Sequence, residues 1–409
     1  MNNAAIIAGH SLFLPFASSS EALLARLRQG EEVATSGWFR SDAEAVRGGF
    51  QKNRRCARLP ATRESLFGRL NRLIADALAQ AGLDKSALAG ENVRVYLSGL
   101  GPRVDVKAYK NFYDRNDIDD LKLTPSVTQL QAANMSQDRL AQQLAQEYSL
   151  RYLPPNFNCA SNSALAAVHL GCQAIEKGGV DLIMVIGCAE ITTQDLWFLE
   201  SQSMLESEAV QPFGMQNHGV LFAEGAGVML LESPRHRNAR QLRGGIRLRS
   251  VFSQIGASRN HDATRLTASL LSLIKTALRQ ADVALSDLCA IMPHGNGAEA
   301  SDKAEAQALA LLLAQDPLPV LAYKGLMGYT ATVSGIIDLT IACYALTRRE
   351  LIPARAHGAI IKELASSLLT GGQAVKHHKR HLLKTGVSVD GSIIAQVLSD
   401  ETPQESADE

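Results

Sequence analysis

One cysteine of the chain lies where a thiol can act as a nucleophile. Cys159 follows a segment that predicts a strand, and it precedes an Ala-rich segment that predicts a helix to about Lys177. The first turn of a helix carries unpaired backbone N–H groups and the positive end of the helix dipole. Both stabilise a thiolate, so we expect a lowered pKa for this thiol. A free cysteine is more often a small buried hydrophobe, so the local pattern alone leaves both interpretations open.

A histidine in the second half of the chain is placed to act as the companion base. His294 directly follows an apolar segment, lies in a Gly-rich loop and precedes the acidic start of a predicted helix. A lone histidine is more often a packed or surface residue than a base. An imidazole at a strand end, together with a candidate nucleophile elsewhere, is a recurrent arrangement for acid–base chemistry. The two residues together predict a nucleophilic thiol with a companion base.

The elements that must position these residues alternate between strands and helices. Segments 93–101, 181–190 and 226–233 are apolar enough for buried strands of an α/β protein. A basic, Pro-containing connector follows, and then the alternation of strand and helix recurs. This recurrence predicts two similar halves that arose by duplication. The first half, residues 1–235, carries the cysteine, and the second half, residues 236–409, carries the histidine and a candidate lysine.

Composition excludes several other classes of protein. With 409 residues, of which 46% are hydrophobic and 20% charged, the chain is able to bury a large core. Lys plus Arg equals Asp plus Glu at 41 each, so no net field attracts nucleic acid. The six cysteines form no CxxC pair, which argues against a zinc site or a disulfide framework. No apolar segment is long enough to span a bilayer, and the start of the chain resembles a first strand. We expect a cytoplasmic protein.

Four segments of the chain match known motifs in a consistent order. The segments are 158–161 (NCAS), similar to an acyl-cysteine motif; 212–232, similar to PFD...GEGAGVLVLE; 294–305, similar to HGTGT...GDPIE; and 324–335, similar to KSxxGH and the small residues after it. Together they resemble the β-ketoacyl-acyl-carrier-protein synthases, which are ketosynthases of the thiolase fold. The resemblance extends from about residue 4 to residue 398 and implies a five-layered αβαβα architecture of two similar halves.

The resemblance implies a decarboxylative Claisen condensation. An acyl chain passes from the phosphopantetheine of an acyl carrier protein to the cysteine, and a malonyl-carrier thioester then supplies the enolate that attacks it. The chain would need no cofactor of its own, because phosphopantetheine arrives on the carrier protein. The residues that the resemblance assigns are Cys159, His294, Tyr329 and Lys324 as catalytic residues, the backbone N–H groups of Cys159 and Val389 as an oxyanion hole, and Glu305 as a supporting residue.

The chain departs from the family pattern at positions that matter for decarboxylation. Tyr329 stands where the family has a second histidine, and a phenol does not titrate near neutrality. Loss of one donor to a developing oxyanion can cost ~3 kcal/mol, or roughly a hundredfold in rate. The gating sequence FGFGGTN is VSVDGSI at 387–393, without either aromatic ring. Gln211 and Gly214 replace an arginine and an aspartate around the PFD motif.

These departures favour a chain-length-factor-like subunit that pairs with a fully equipped ketosynthase in a type II fatty acid or polyketide system, such as aryl polyene biosynthesis. The retained cysteine favours instead an independent homodimeric ketosynthase with a Cys-His-Tyr site. A thiolase acting on coenzyme A thioesters is a third interpretation, but thiolases need a second cysteine near the C-terminus, and none follows Cys343. A non-enzymatic scaffold is a fourth. Each ketosynthase interpretation predicts a dimer and an acyl carrier protein as partner.

Overall fold

The computed structural model describes residues 3–100, 114, 137–205, 209–216, 219–254 and 263–403. The stretch 103–130, predicted to be a surface excursion, lies outside the described residues apart from Asp114. The strands are β1 (Ala5–Phe13), β2 (Ser36–Gly37), β3 (Arg55–Cys56), β4 (Val93–Ser98), β5 (Asn156–Phe157), β6 (Leu182–Ala189), β7 (Gly225–Glu232), β8 (Ile246–Gln254), β9 (Leu288–Met292), β10 (Glu350–Leu351), β11 (Val375–Lys376), β12 (His381–Val387) and β13 (Ser392–Asp400). The helices are α1 (Ser20–Arg28), α2 (Asp42–Arg47), α3 (Leu66–Gln80), α4 (Gln137–Glu147), α5 (Ser163–Glu176), α6 (Thr193–Ser201), α7 (Pro234–Ala239), α8 (Ala263–Ala281), α9 (Glu299–Leu313), α10 (Lys324–Met327) and α11 (Ser334–Arg348).

A mixed sheet connects the two halves of the protein. Within the described residues, nine strands follow the order β5–β4–β6–β7–β1–β8–β13–β12–β9. Strand β1 pairs antiparallel with β7 on one side and with β8 on the other, so Ile6 lies between Glu232 and Arg247. The sequence predicts a first strand at residues 4–8, and the observed strand extends to Phe13 because its pairing with β7 continues that far.

The two halves have the same topology. In chain order the first half supplies β1, β4, β5, β6 and β7, arranged in space as β5–β4–β6–β7–β1. The second half supplies β8, β9, a bridge at Val320, β12 and β13, with Val320 beside β9 and then β12, β13 and β8. In the first half, β6 pairs antiparallel with β7 and parallel with β4. In the second half, β12 likewise pairs antiparallel with β13 and parallel with β9. The predicted similarity of the halves is thus confirmed, and the boundary at 235/236 stays a prediction.

Two central helices separate the layers. Helices α5 and α11 pack on each other and on strands of both halves, and both are buried on almost every face. Small residues allow this contact, since a Cβ atom on Gly335 would lie 2.5 Å from Leu165. Helix α3 covers β1 and β7 on one outer face, whereas α8 covers β8 and β13 and packs on α9. The strands β6 and β7 are buried along their whole length, as their apolar sequences predict.

The basic connector folds onto one buried carboxylate. Glu232, at the end of β7, is fully buried and accepts hydrogen bonds from Arg237 and Arg240 at 3.1 and 2.8 Å. The His236 ring lies 2.6 Å from the same carboxylate. A buried carboxylate is stable only when such partners replace its hydration. The connector is therefore held in place.

Among the helices that the structure describes, none is both long and apolar enough to cross a membrane.

Replacing Glu232 by Gln is expected to lower the free energy of unfolding by ~3 kcal/mol, because two partly buried arginines lose their counter-charge. Denaturant unfolding of the two proteins measures this difference. Glu176→Gln is the matched control, because the pair with Arg249 is 3.6 Å long, partly exposed and worth less than ~1 kcal/mol. Equal losses in both variants would contradict the assigned role of the buried carboxylate.

Candidate active site

Cys159 lies between a short edge strand and a buried helix, as the sequence predicts. Strand β5 pairs with β4 in parallel and ends two residues before the cysteine. A 3-10 turn at Ala160–Asn162 follows, and α5 begins at Ser163. Ala160 adopts a left-handed conformation with φ of 43°, which makes the turn sharp. The thiol is half-buried, whereas the other five cysteines are buried.

The backbone of Cys159 is held from two directions. Its N–H donates to Ser163 Oγ at 3.0 Å, and its carbonyl accepts from Ser388 Oγ at 3.0 Å. Ser388 begins the turn between β12 and β13, so the gating segment touches the candidate nucleophile directly. Val389 lies in this turn with an exposed side chain. The oxyanion hole at Cys159 and Val389 stays a prediction, and it requires Ser163 to release or share the cysteine N–H.

The pKa of the Cys159 thiol lies above its ordinary value, which reverses the expectation from the helix terminus. Burial is the larger cause, and the nearby Asp390 carboxylate adds to it. Both disfavour the thiolate. Nucleophilic attack by this thiol therefore requires a base to take its proton.

His294 is buried at the end of β9, in a loop fixed by one carboxylate. Glu305 of α9 accepts the N–H groups of His294 and Gly295 at 2.8 and 2.9 Å. Its Oε1 atom also accepts from Thr385 Oγ1 of β12 at 2.6 Å. The predicted supporting residue therefore holds the histidine loop against the neighbouring strand. Thr385 was not singled out in the sequence.

A second carboxylate of α9 fixes the rest of the loop. Asp302 accepts the N–H groups of Asn296 and Gly297 at 3.1 and 3.0 Å, and that of Phe213 at 2.7 Å. Burial raises the pKa of Asp302 to about 7, and the nearby Glu305 acts in the same direction. The acidic start of α9 thus serves to shape the loop that carries His294.

Two buried lysines share one aspartate beneath the histidine. Lys324 donates to Asp338 at 2.9 Å and to the carbonyl of His294 at 2.6 Å. Lys384 of β12 lies 2.7 Å from the same carboxylate and donates to the carbonyl of Pro293 at 3.1 Å. Neither Lys384 nor Asp338 was identified from the sequence. Both are isolated charges in apolar segments, LLKTGV and SGIIDLTI, and that pattern was the available signal.

These charges set the protonation of the histidine. Burial lowers the pKa of His294 well below its ordinary value, and Lys324 and Lys384 lower it further. A neutral imidazole has one nitrogen that can accept a proton and one that can donate. At neutral pH, His294 is thus in the form required of a base.

Tyr329 joins the histidine to the cysteine turn. Its ring meets the His294 ring edge-on, with centroids 5.7 Å apart and an interplanar angle of 89°. Its hydroxyl makes a short hydrogen bond with Ser161, two residues after Cys159. Burial raises the pKa of Tyr329 to about 12, so the phenol is neutral at physiological pH. Tyr329 therefore connects the turn that follows Cys159, in the first half, with the ring of His294 in the second half.

The described structure contains little else that could compete as a reaction centre. No group of three His, Cys, Asp or Glu residues in the described ranges is arranged to hold a metal ion. A cavity of about 880 Å³ lies elsewhere, beside α1 and the end of α11, and its lining includes Arg28 and Tyr344. Cys343, the last cysteine, is buried, and burial raises the pKa of its thiol to about 12, so it is unsuited to act as the second cysteine of a thiolase.

Comparison with known proteins identifies the family. The pattern described as "Beta-ketoacyl synthase, N-terminal domain" matches residues 35–236, and "Beta-ketoacyl synthase, C-terminal domain" matches residues 248–358. The chain is 27% identical over 300 residues to pikromycin polyketide synthase component PikAII of Streptomyces venezuelae, which covers 71% of this chain and 7% of that protein. It is 31% identical over 207 residues to component PikAIII of the same organism, covering 48% of this chain and 13% of that protein. The chain thus spans only a small part of these relatives.

Solved structures confirm the predicted fold. The ishigamide ketosynthase/chain length factor has a TM-score of 0.79 at 19% identity, with 98% of this chain and 100% of that chain covered. The structure of a type II acyl-carrier protein in complex with its ketosynthase bound to the hexaketide also has a TM-score of 0.79. Its sequence identity is 15%, with 98% of this chain and 100% of that chain covered. A beta-ketoacyl synthase from Burkholderia phymatum gives 0.78 at 16% identity, with 97% and 99% covered. The two family patterns together match more than half of the chain, which therefore belongs to the beta-ketoacyl synthase family.

Proposed function

We propose that this chain is a ketosynthase subunit for decarboxylative Claisen condensation in a type II fatty acid or polyketide system, and that it is the chain-length-factor-like half of a heterodimer. The observation that carries the proposal is the series of contacts that leads from the turn after Cys159, through Ser161 and Tyr329, to the ring of His294. An aryl polyene pathway is the setting we favour.

The reaction would use these residues in sequence. The Cys159 thiol, deprotonated by a base, attacks the acyl thioester of a carrier protein, and the carrier thiol leaves with a proton. A malonyl-carrier thioester then loses carbon dioxide to form an enolate, whose oxygen needs hydrogen-bond donors. The enolate carbon attacks the acyl group on Cys159, a carbon–carbon bond forms, and the cysteine thiolate leaves. His294 and Tyr329 are the proposed donors to the enolate oxygen.

A partner subunit is supported by the sheet edge and by the weak donor set. Within the described residues β5 is the end strand of the sheet, and the exposed side chains of Tyr152 and Leu153 lie just before it. An unpaired edge with apolar neighbours is suited to pairing with another chain. Because Tyr329 remains a neutral phenol, we infer that a ketosynthase partner carries most of the turnover. The acyl carrier protein is the proposed substrate carrier for both subunits.

Replacing Tyr329 by His is expected to raise malonyl-carrier decarboxylation by the isolated chain up to about a hundredfold, because it restores the pair of histidines that the family pattern places at the enolate oxygen. Release of carbon dioxide from malonyl-carrier protein measures this rate. Tyr148→His is the matched control, since Tyr148 is buried and its hydroxyl bonds Asn71 away from the site. Full condensation by the isolated wild-type chain would contradict the heterodimer and favour an independent homodimer.

A further inference from the structure

Tyr329 is held in place at both its backbone and its ring. Its backbone N–H donates to the Leu221 carbonyl at 2.7 Å, and its ring packs against Phe222 with centroids 6.3 Å apart. The side chain is buried among apolar residues that also include Phe222 and Ala298. Because the backbone and the ring are both held, the ring has little freedom to turn. The position of its oxygen is therefore set by the fold.

Two turns of matching structure bring Ser161 to this oxygen. The 3-10 turn Ala160–Asn162 follows Cys159, and the 3-10 turn Ala331–Val333 follows Thr330. Each begins with an alanine in the positive-φ region, and the two turns lie against each other. Ser161 lies in the first turn, and Tyr329 lies two residues before the second. Their hydrogen bond thus connects the two halves next to the candidate nucleophile.

The hydrogen bond between Ser161 and Tyr329 joins two hydroxyl groups. Each hydroxyl has one proton to donate and can also accept. The two hydroxyls together have two protons and share one hydrogen bond. One O–H is consequently left to point out of the pair, whichever hydroxyl donates within it.

We propose that Ser161 is a positioning residue for Tyr329, and that the two side chains act as one hydrogen-bond donor toward the malonyl thioester oxygen. The choice of malonyl thioester as substrate rests on the proposed function, whereas the pairing of the side chains rests on their hydrogen bond. This pairing explains how a chain with a tyrosine in place of the second histidine presents an oriented O–H group. An unheld phenol would lose orientational freedom each time that it bound substrate.

The test compares Ser161→Ala, Tyr329→Phe and the double variant in the full chain, in the oligomer in which it purifies, with malonyl-carrier protein as the probe. We expect Ser161→Ala to lower the kcat of decarboxylation by about tenfold with little change in KM, as for one lost neutral hydrogen bond. The double variant should lose no more than the worse of the single variants, because the side chains form one unit. Multiplying losses would overturn the proposal. Ser161→Thr, which keeps a hydroxyl, should restore most of the rate.

A second readout does not depend on turnover. The hydrogen bond with Ser161 polarises the phenol of Tyr329. Ser161→Ala should therefore shift the ring ¹³C resonances of labelled Tyr329 at neutral pH, whereas Thr340→Val, which removes a buried hydroxyl in α11, should not. An unchanged Tyr329 spectrum in Ser161→Ala would overturn the positioning role. Absence of decarboxylation in wild-type protein that still accepts acyl groups would instead contradict the proposed function, and the NMR spectrum would still test the positioning role.

Discussion

Cys159→Ala protein is expected to accept no acyl group from an acyl-carrier thioester. The variant lacks the only atom that the proposed reaction attaches to the acyl chain, and loss of a covalent nucleophile typically removes a thousandfold or more in rate, about 4 kcal/mol of transition-state stabilisation. Intact-mass measurement after incubation with acyl-carrier protein detects the adduct directly. The fold should be retained, because the thiol is half-buried and has no hydrogen bond on which its neighbours depend among the described contacts.

Cys172→Ala provides the matched control for this experiment. Cys172 lies on α5, the same helix, and is fully buried, and burial raises the pKa of its thiol far above the ordinary value. This variant should be acylated like the wild type, with some loss of stability from the cavity. An adduct that persists in Cys159→Ala would mean that another residue is the nucleophile. If Cys159→Ala supports product formation by the assembled system as well as the wild type does, the chain is a scaffold.

Asp338→Asn protein is expected to lose ~3–5 kcal/mol of unfolding free energy, because the substitution leaves two buried ammonium groups without their shared anion. Burial alone would raise the pKa of Asp338, but Lys324 and Lys384 outweigh it and hold the carboxyl below its ordinary value. Its stabilising charge is therefore complete above the ordinary aspartate range and is lost only in acid. Denaturant unfolding at pH 7 measures the loss. A variant as stable as the wild type would contradict this arrangement.

Lys384→Met separates the second lysine from the pair. Burial lowers the pKa of Lys384 to about 8, against an ordinary 10.5, even though Asp338 acts in the opposite direction. Between these two pH values the unfolded chain holds the proton and the folded chain does not, so this lysine makes the wild type gain stability as the pH rises. The variant should lack this rise of stability with pH. At pH 7 its free energy of unfolding should differ little from that of the wild type, since Lys324 still pairs with Asp338. An unchanged pH dependence would contradict the lowered pKa.

The predictable part of this protein is the part that local sequence encodes. Apolar runs identified strands such as β6 and β7, because strands buried on both faces must be apolar throughout. The strand, turn and helix around Cys159, the loop of His294 and the recurrence of the two halves were likewise readable, since each is a pattern of neighbouring residues. The family resemblance followed from motifs of the same kind, and the comparisons confirmed it.

Contacts between distant segments were decided only by the tertiary structure. Ser161 and Tyr329 are 168 residues apart in the chain, and Lys384 reaches an aspartate on a helix of another layer. The raised thiol pKa of Cys159 also had no local signal, because it depends on burial and on Asp390 from the distant gating turn. A sequence pattern reports which face of an element is apolar, but the partner of a buried polar group depends on how the layers stack. Local sequence therefore determined the position of the candidate nucleophile and the turn around it. Tertiary packing decided the protonation states of the site residues and the partners of their polar groups.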